Sequence, residues 1–382
     1  MNRLRVEEPS QVGEARRQAA AICGTLGFDE VRIGQVCIIV TELGTNLVKH
    51  AGGGDLVVRS LECADTRGIE ILSLDQGPGI GNIGESLRDG WSTSGSAGSG
   101  LGAVRRLSSL FDIYSTPGQG VAVLSRTWQE PPLASGPPRA LEAGVVCLPV
   151  SGEEACGDTW AIHQSRERAL IMVADGLGHG QYAAEASAEA ARIFENYADS
   201  GPAEMIERMI AALHSTRGAA VAVAEALWGR RLVRYAGVGN ISGRILSSEA
   251  DRNMVSHNGT VGLEARKIQE FTYPWPEDGL LILHSDGLDT HWNLDDYSGL
   301  RQRHPALIAG VLFRDHHRAR DDGTVVVVRE TRFLTAGSAP RPAPPGGRPA
   351  PGTRSRLGND SEPRASASGK TESHGQRPGR TP

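Results

Sequence analysis

The chain has 382 residues, 39% of them hydrophobic, and a formal net charge of −5 at pH 7. That length exceeds one ordinary domain and fits two domains and a tail, while the acidic balance argues against a general nucleic-acid binder, which carries a concentrated basic surface. Five cysteines without C-x-x-C spacing read as buried reduced thiols. No run approaches the ~20 apolar residues of a spanning helix, so a cytoplasmic chain with no membrane partner is expected.

Ser10 is placed to cap a helix running through Gly24, and Asp29 a second running to about His50. In the second, Val36, Ile39, Val40, Leu43 and Leu47 recur at helical spacing and predict the buried face. Glu42, Asn46, Lys49 and His50 share another face. A carboxylate and an amide one turn apart suit a magnesium held mostly by phosphates and water, and Glu42 is also placed to act as a base. The same pattern describes an ordinary solvated face, so alone it decides nothing. Strands over 56–62 and 68–77 deliver Asp75 into the turn Asp75-Gln-Gly77-Pro-Gly79-Ile80. Its glycines permit close approach by a planar ligand, and its acid can accept from an exocyclic amine such as that of adenine. A Gly/Ser-rich loop over 90–98 leads into Gly98-Ser-Gly100-Leu101-Gly102 at the start of a helix over 100–110, where free N–H groups suit phosphate. One glycine-rich turn is weak evidence; these motifs in this order are strong. Strands over 111–116 and 120–128 complete this half.

Residues 129–141 are Pro-rich and read as a linker. Strands follow over 144–150, 159–164 and 168–175, then helices over 182–199 and 202–215, then strands over 220–227, 231–239, 242–246, 279–286 and 323–330. Strands bracketing a helical pair predict a β-sandwich flanked by helices. Asp158, Asp175, Asp286 and Asp321 each fall at a strand or loop edge, mostly beside a glycine. Hard divalent cations take carboxylate oxygens and water, and a binuclear site can acidify a bridging water for in-line attack on a phosphate ester. No serine or cysteine nucleophile with an ordered base is visible, which favours water attack. Asp321-Asp322-Gly323 alone would read as a hairpin. His179 suits the site mouth, His163, His284 and His291 have no ligand spacing, and His304, His316 and His317 read as surface. From residue 333 to 382 the composition predicts a disordered tail.

Residues 10–128 resemble the GHKL ATP-binding domain of gyrase, histidine kinases and the anti-sigma serine kinases, particularly the RsbT-like switch kinases. Glu42 to Asn46 matches the N-box, Asp75 to Gly79 the adenine box, and Gly98 to Gly102 the second glycine box. The resemblance implies Mg-ATP as cofactor, with Asn46 on Mg2+, Glu42 as base, Asp75 with Gly77 and Gly79 at adenine, and Gly98, Gly100, Leu101 and Gly102 at phosphate. One departure is Val121 after Gly120, where relatives often carry Gly-Thr. Residues 142–330 resemble the metal-dependent protein phosphatases (PPM) of the SpoIIE/RsbX branch; Ala236-Gly-Val-Gly-Asn240 and Gly259-Thr-Val-Gly262 add to that match. That resemblance implies two Mn2+ or Mg2+ ions held by Asp158, Asp175, the Gly176 carbonyl, Asp286 and Asp321, with Asp322 ranked second for the last place.

Together these imply an α/β chain of two domains, a GHKL (Bergerat) α/β sandwich over 1–128 and an α-β-β-α phosphatase sandwich over 142–332. The expected activity is phosphorylation and dephosphorylation of a STAS-domain antagonist protein or sigma-factor regulator. The alternative is a phosphatase gated by a nucleotide-sensing or anti-sigma binding domain that transfers no phosphate.

Overall fold

A computed structural model describes residues 1–63, 66–87, 100–132, 139–264 and 268–332. Gly98 with its Gly/Ser-rich loop, residues 133–138 of the linker, and the tail from 333 lie outside the described residues.

The first sheet is antiparallel in the order β1-β2-β3-β5-β4, built from β1 (Asn2–Val6), β2 (Gly54–Cys63), β3 (Thr66–Leu74), β4 (Leu110–Ser115) and β5 (Val121–Trp128). Its strands alternate as a pleat requires, yet both faces are apolar. Leu56, Val58, Ile69 and Ile71 point to one core, and Val57, Leu72 and Leu74 to another. The first core is filled by α1 (Pro9–Thr25), α2 (Glu30–Asn46) and α4 (Gly100–Leu107), with the short α3 (Ile83–Ser86) beside the adenine-box turn. The Asp29 side chain caps α2 by accepting from the Arg32 amide at 2.7 Å, as expected. Ser10 does not cap α1: Glu8 does, in a reciprocal capping box with Gln11, and Pro9 opens the helix. Glu30–Ala51 is long and apolar enough by composition to cross a membrane. Val36, Ile39, Val40, Leu43 and Leu47 nevertheless face the first core, so it serves here as a core helix.

The second half opens with β6 (Arg139–Leu148), which begins inside the segment read as linker. One sheet runs β12-β11-β14-β15-β6, with β11 (Ser242–Leu246), β12 (Asp251–Met254), β14 (Leu280–His284) and β15 (Gly323–Arg332). The other runs β13-β10-β9-β8-β7, with β7 (Asp158–Gln164), β8 (Arg168–Gly176), β9 (Ala219–Leu227), β10 (Leu232–Val238) and β13 (Phe271–Pro274). Val145, Leu281, Leu283, Val326 and Val328 pack against Ile171, Val173, Ala222 and Ala224 between the sheets. Outside the second sheet lie α5 (Gln181–Asn196) and α6 (Pro202–Leu213); outside the first lies α7 (Pro305–His316). This is the α-β-β-α order expected of the second half, behind the α/β sandwich expected of the first.

Helix α7 is where the two halves meet. Pro305 to Phe313 are all buried, in a core that also holds Val57, Leu72, Leu74, Ala122 and Leu124 from one half and Val146, Leu148, Ile282, Val325 and Val327 from the other. The described residues of both halves accordingly form a single compact unit. Polar contacts reinforce the junction: Arg126 Nη2 donates to the Ala143 carbonyl at 3.1 Å, and the His304 amide to Asp112 Oδ2 at 2.8 Å. The expectation of surface histidines fails here, because His304 is only 5% exposed and His316 and His317 are half-buried. Among the cysteines only Cys23 is fully buried; Cys63 is exposed, and all five are free.

Candidate active sites

Below α2 the chain continues through one π turn, Leu47–Ala51, closed by Gly52 at φ 72°. The wider turn takes Lys49 and His50 off the 3.6-residue spacing, so only Glu42 and Asn46 stay one α-turn apart, both half-buried. Single π turns within helices are rare and concentrate at functional sites. Asp75, 8% exposed, leaves the end of β3 and is fixed by backbone: its Oδ1 accepts from the Gly77 amide at 2.8 Å and the Val121 amide at 3.1 Å. Its Oδ2 accepts no hydrogen bond among the described residues and is the oxygen left for a ligand donor. Burial raises its pKa, opposed by those two amides and by Arg314. Gly79, at φ 74°, brings the turn against Thr116, whose carbonyl oxygen would lie 2.4 Å from a Cβ there. Ser115, which sequence reasoning missed, accepts from the Ile80 amide at 2.8 Å and donates to the Gly120 carbonyl at 3.0 Å, tying the box to the β4–β5 turn. Gly100, Leu101 and Gly102 form the first turn of α4.

The acidic site is built from strand ends. Asp158 at the start of β7 pairs directly with Asp175 near the end of β8. Asp286 follows β14, and Asp321 precedes β15. The loops carrying these last two are pressed together, since a Cβ on Gly287 would lie 1.8 Å from the Asp322 carbonyl oxygen. Gly176 packs as closely on α5, where a Cβ would meet the Ala183 carbonyl at 2.0 Å. Burial raises the pKa of Asp158, and the Asp322 and Asp321 charges add to it. Burial also raises Asp175, helped by the charges of Asp158, Asp286 and Asp321. Asp286 is raised by burial and then by Asp321. Asp175 thus feels the charges of Asp158, Asp286 and Asp321.

Protein donors hold them meanwhile. Asp158 Oδ2 accepts from Ser285 Oγ at 2.6 Å, Asp286 Oδ2 from Asn240 Nδ2 at 2.6 Å, and Asp321 Oδ1 from the Asp322 amide at 3.0 Å. Among the described residues no three His, Cys, Asp or Glu side chains are already drawn into a cage. Asp158 Oδ1 is nevertheless buried without a hydrogen-bond partner. A buried, unpaired carboxylate oxygen among other acids is costly, and a hard divalent cation is the partner whose chemistry fits it. Asp322 differs from its neighbour: its Oδ1 accepts from the Val150 amide at 2.7 Å and its Oδ2 from the Gly157 amide at 2.8 Å. His179 lies outside this group, 61% exposed at the side chain and 3.0 Å from Glu153 Oε1. His284 is a satisfied core residue between the Ser285 carbonyl and Trp292 Nε1.

Comparison with known proteins divides the chain in the same way. Residues 6–126 match the histidine kinase-like ATPase domain and residues 165–330 the Stage II sporulation protein E (SpoIIE) family. The serine/threonine-protein kinase RsbT of Bacillus subtilis (strain 168) is 31% identical over 125 residues, 33% of this chain and 94% of RsbT. The phosphoserine phosphatase RsbX of the same organism is 30% identical over 140 residues, 36% of this chain and 70% of RsbX. The chain belongs to the RsbT kinase family through its first half and to the RsbX phosphatase family through its second. A crystal structure of RsbX in complex with magnesium covers 50% of this chain and 96% of its own, at 23% identity and a TM-score of 0.44. By these two relatives the RsbT-like half carries kinase homology, and the RsbX-like half is a PP2C-type serine/threonine phosphatase domain. The sequence shows Ser285 directly before Asp286 in Ser285-Asp286-Gly287 but assigns it no role; the structure makes it the donor to Asp158.

Proposed function

We propose that this RsbT–SpoIIE fusion is a cytoplasmic partner-switching enzyme that removes phosphate from a phosphoserine or phosphothreonine of a STAS-domain protein and restores it from ATP. The observation carrying the reading is the buried, unpartnered Oδ1 of Asp158 among Asp175, Asp286 and Asp321. These four, with the Gly176 carbonyl, would hold two Mn2+ or Mg2+ ions. Such a pair supplies Lewis acidity toward the phosphoryl oxygens and a water acidic enough to attack at neutral pH. The chain's own residues do the positioning. Ser285 orients Asp158, Asn240 orients Asp286, and Asp322 fixes the two loop amides on which Gly157 and Val150 hang. Asp322 is a brace in this reading, not a ligand.

In the other half, Asp75 would accept from adenine, Asn46 would reach Mg2+ held on phosphates, the first turn of α4 would face phosphate, and Glu42 would take the hydroxyl proton of the acceptor serine. Purified chain with Mn2+ should release phosphate from a phosphoserine STAS protein and stop on addition of EDTA. Undiminished release after chelation would refute metal dependence.

A second reading, nucleotide gating without transfer, is favoured by one contact. Arg314 Nη1, near the end of α7, donates to the Asp75 carbonyl at 2.8 Å, while the His317 ring after the same helix donates to the Asp321 carbonyl at 3.1 Å. The four-residue stretch from Arg314 to His317 therefore touches both sites, through one residue at each end. Transfer of labelled γ-phosphate from ATP that Glu42→Ala abolishes supports the kinase; ATP binding with no transfer supports gating.

A further inference from the structure

Seven large hydrophobic side chains are exposed among the described residues, and three of them, Leu177, Tyr182 and Leu263, gather around one backbone junction at the mouth of the acidic site. Leu177 follows Gly176 directly, is 53% exposed, and donates its amide to the Gly218 carbonyl at 3.0 Å. Leu263, 57% exposed, lies with its Cγ 3.3 Å from where a Cβ on Gly218 would stand. Arg217, the residue before, sets its guanidinium 4.9 Å from the ring centre of Tyr182, itself 63% exposed, and its Nη1 lies 3.2 Å from where a Cβ on Gly178 would stand. The scaffold beneath is fixed, with Ala219 and Val261 exchanging both backbone hydrogen bonds at 3.1 and 2.9 Å.

Scattered exposed apolar residues need no explanation, but a contiguous group beside a reactive site marks recognition. Arg217 is exposed and makes no ion pair among the described residues; its one contact of note is with Tyr182. A cation stacked on an aromatic face keeps its N–H groups for an incoming anion. Such a cation at the rim of a site lined by aspartates complements a partner that brings negative charge.

We propose that Leu177, Tyr182, Leu263 and Arg217 form the docking rim for the phosphorylated substrate protein, with apolar side chains of the partner on the three hydrophobics and its anionic, phosphoryl-bearing segment led past Arg217. This rests on the phosphatase reading above and adds to it: selectivity for a folded protein over a small phosphate ester is set outside the acidic centre.

The test uses the full chain and two probes: a fluorescein-labelled phosphoserine STAS-domain protein, read by anisotropy in the Asp175→Asn background so that hydrolysis is not required, and p-nitrophenyl phosphate, read by turnover in the otherwise native chain. Tyr182→Ala with Leu263→Ala, and separately Arg217→Ala, should weaken protein binding by about tenfold or more, while turnover of the small ester stays within about twofold. The control pair Val31→Ala with Ile38→Ala, exposed on α2, should change neither. Unchanged protein binding in the rim variants, an equal loss in the control pair, no binding by the parent chain, or ester turnover that falls in step with binding each overturns the docking rim. Absence of ester turnover in the native chain sinks the phosphatase reading instead, while the binding comparison still decides the rim.

Discussion

Asp321 and Asp322 are chemically identical neighbours with opposite surroundings. Asp322 is 2% exposed and receives two backbone amides, whereas Asp321 is half-buried and receives one, and both charges raise the pKa of Asp158. Hydrogen bonds to a charged group contribute about 1.5–3 kcal/mol each, so Asp322→Ala should destabilise the chain by roughly 3–5 kcal/mol, seen as a lower urea midpoint. Asp321→Asn should leave that midpoint unchanged or slightly higher, since it removes a repelling charge, yet weaken Mn2+ binding. Equal stability losses in the two variants would contradict this division of labour. The resemblance ranks Asp321 ahead of Asp322 as a ligand without a physical reason; the backbone that meets each side chain is what sets their surroundings apart. His304 gives the pH dependence. Burial, then the neighbouring Arg126, push its pKa down to about 3, and its Nδ1 accepts from the Ala306 amide at 3.0 Å. The folded value lies below the unfolded one of about 6.5, so the unfolded chain binds the extra proton, and stability falls as pH drops below about 6.5 toward 3. Asp158 and Asp175, raised by burial, act in the opposite sense, so it is the urea midpoint of the native chain relative to that of His304→Asn, which keeps a helix-capping acceptor, that should fall between pH 7.5 and 5; parallel slopes would contradict the assignment.

At the scale of elements, α7 decides the packing, and it is the element least legible in the sequence. Its residues Pro305 to Phe313 are buried on every side, so no 3.6-residue alternation of apolar and polar residues announces a helix. The strands carrying the aspartates were legible because an acid beside a glycine at the end of an apolar run is a local signal. The π turn was not, because a change of helical register leaves no mark in residue spacing. Close approach of α7 to β6 depends on Gly144, where a Cβ would lie 2.0 Å from the Ala306 nitrogen and 2.3 Å from its Cα. These are backbone atoms, and no rotamer change relieves the overlap. Gly144→Ala should therefore cost about 3 kcal/mol or more, lowering the urea midpoint with an unchanged slope; a midpoint within experimental error of the native one would show that α7 can withdraw freely.

For the molecule as a whole, the Pro-rich segment suggested two independent bodies, yet one apolar cluster takes side chains from both sheets that flank α7. Leu72, Leu74 and Leu124 would be exposed without the second half, so calorimetry of the full chain should give one cooperative transition with equal calorimetric and van 't Hoff enthalpies. Two resolved transitions would mean that the halves unfold separately. What the sequence could not convey is that the Asp75 turn and the loop before β15 are joined through a single helix end, where Arg314 meets Asp75, 239 positions away, and His317 meets Asp321. The account as a whole turns on four separated aspartates acting as one cation-binding centre, and calorimetric titration of Mn2+ into the chain and into its Asp158→Asn, Asp175→Asn, Asp286→Asn and Asp321→Asn variants tests it most directly. The native chain should bind two ions, and each variant should lose about tenfold or more in affinity at one site or both. A native chain that binds no Mn2+, or variants that bind it as tightly as the native chain, would contradict the account.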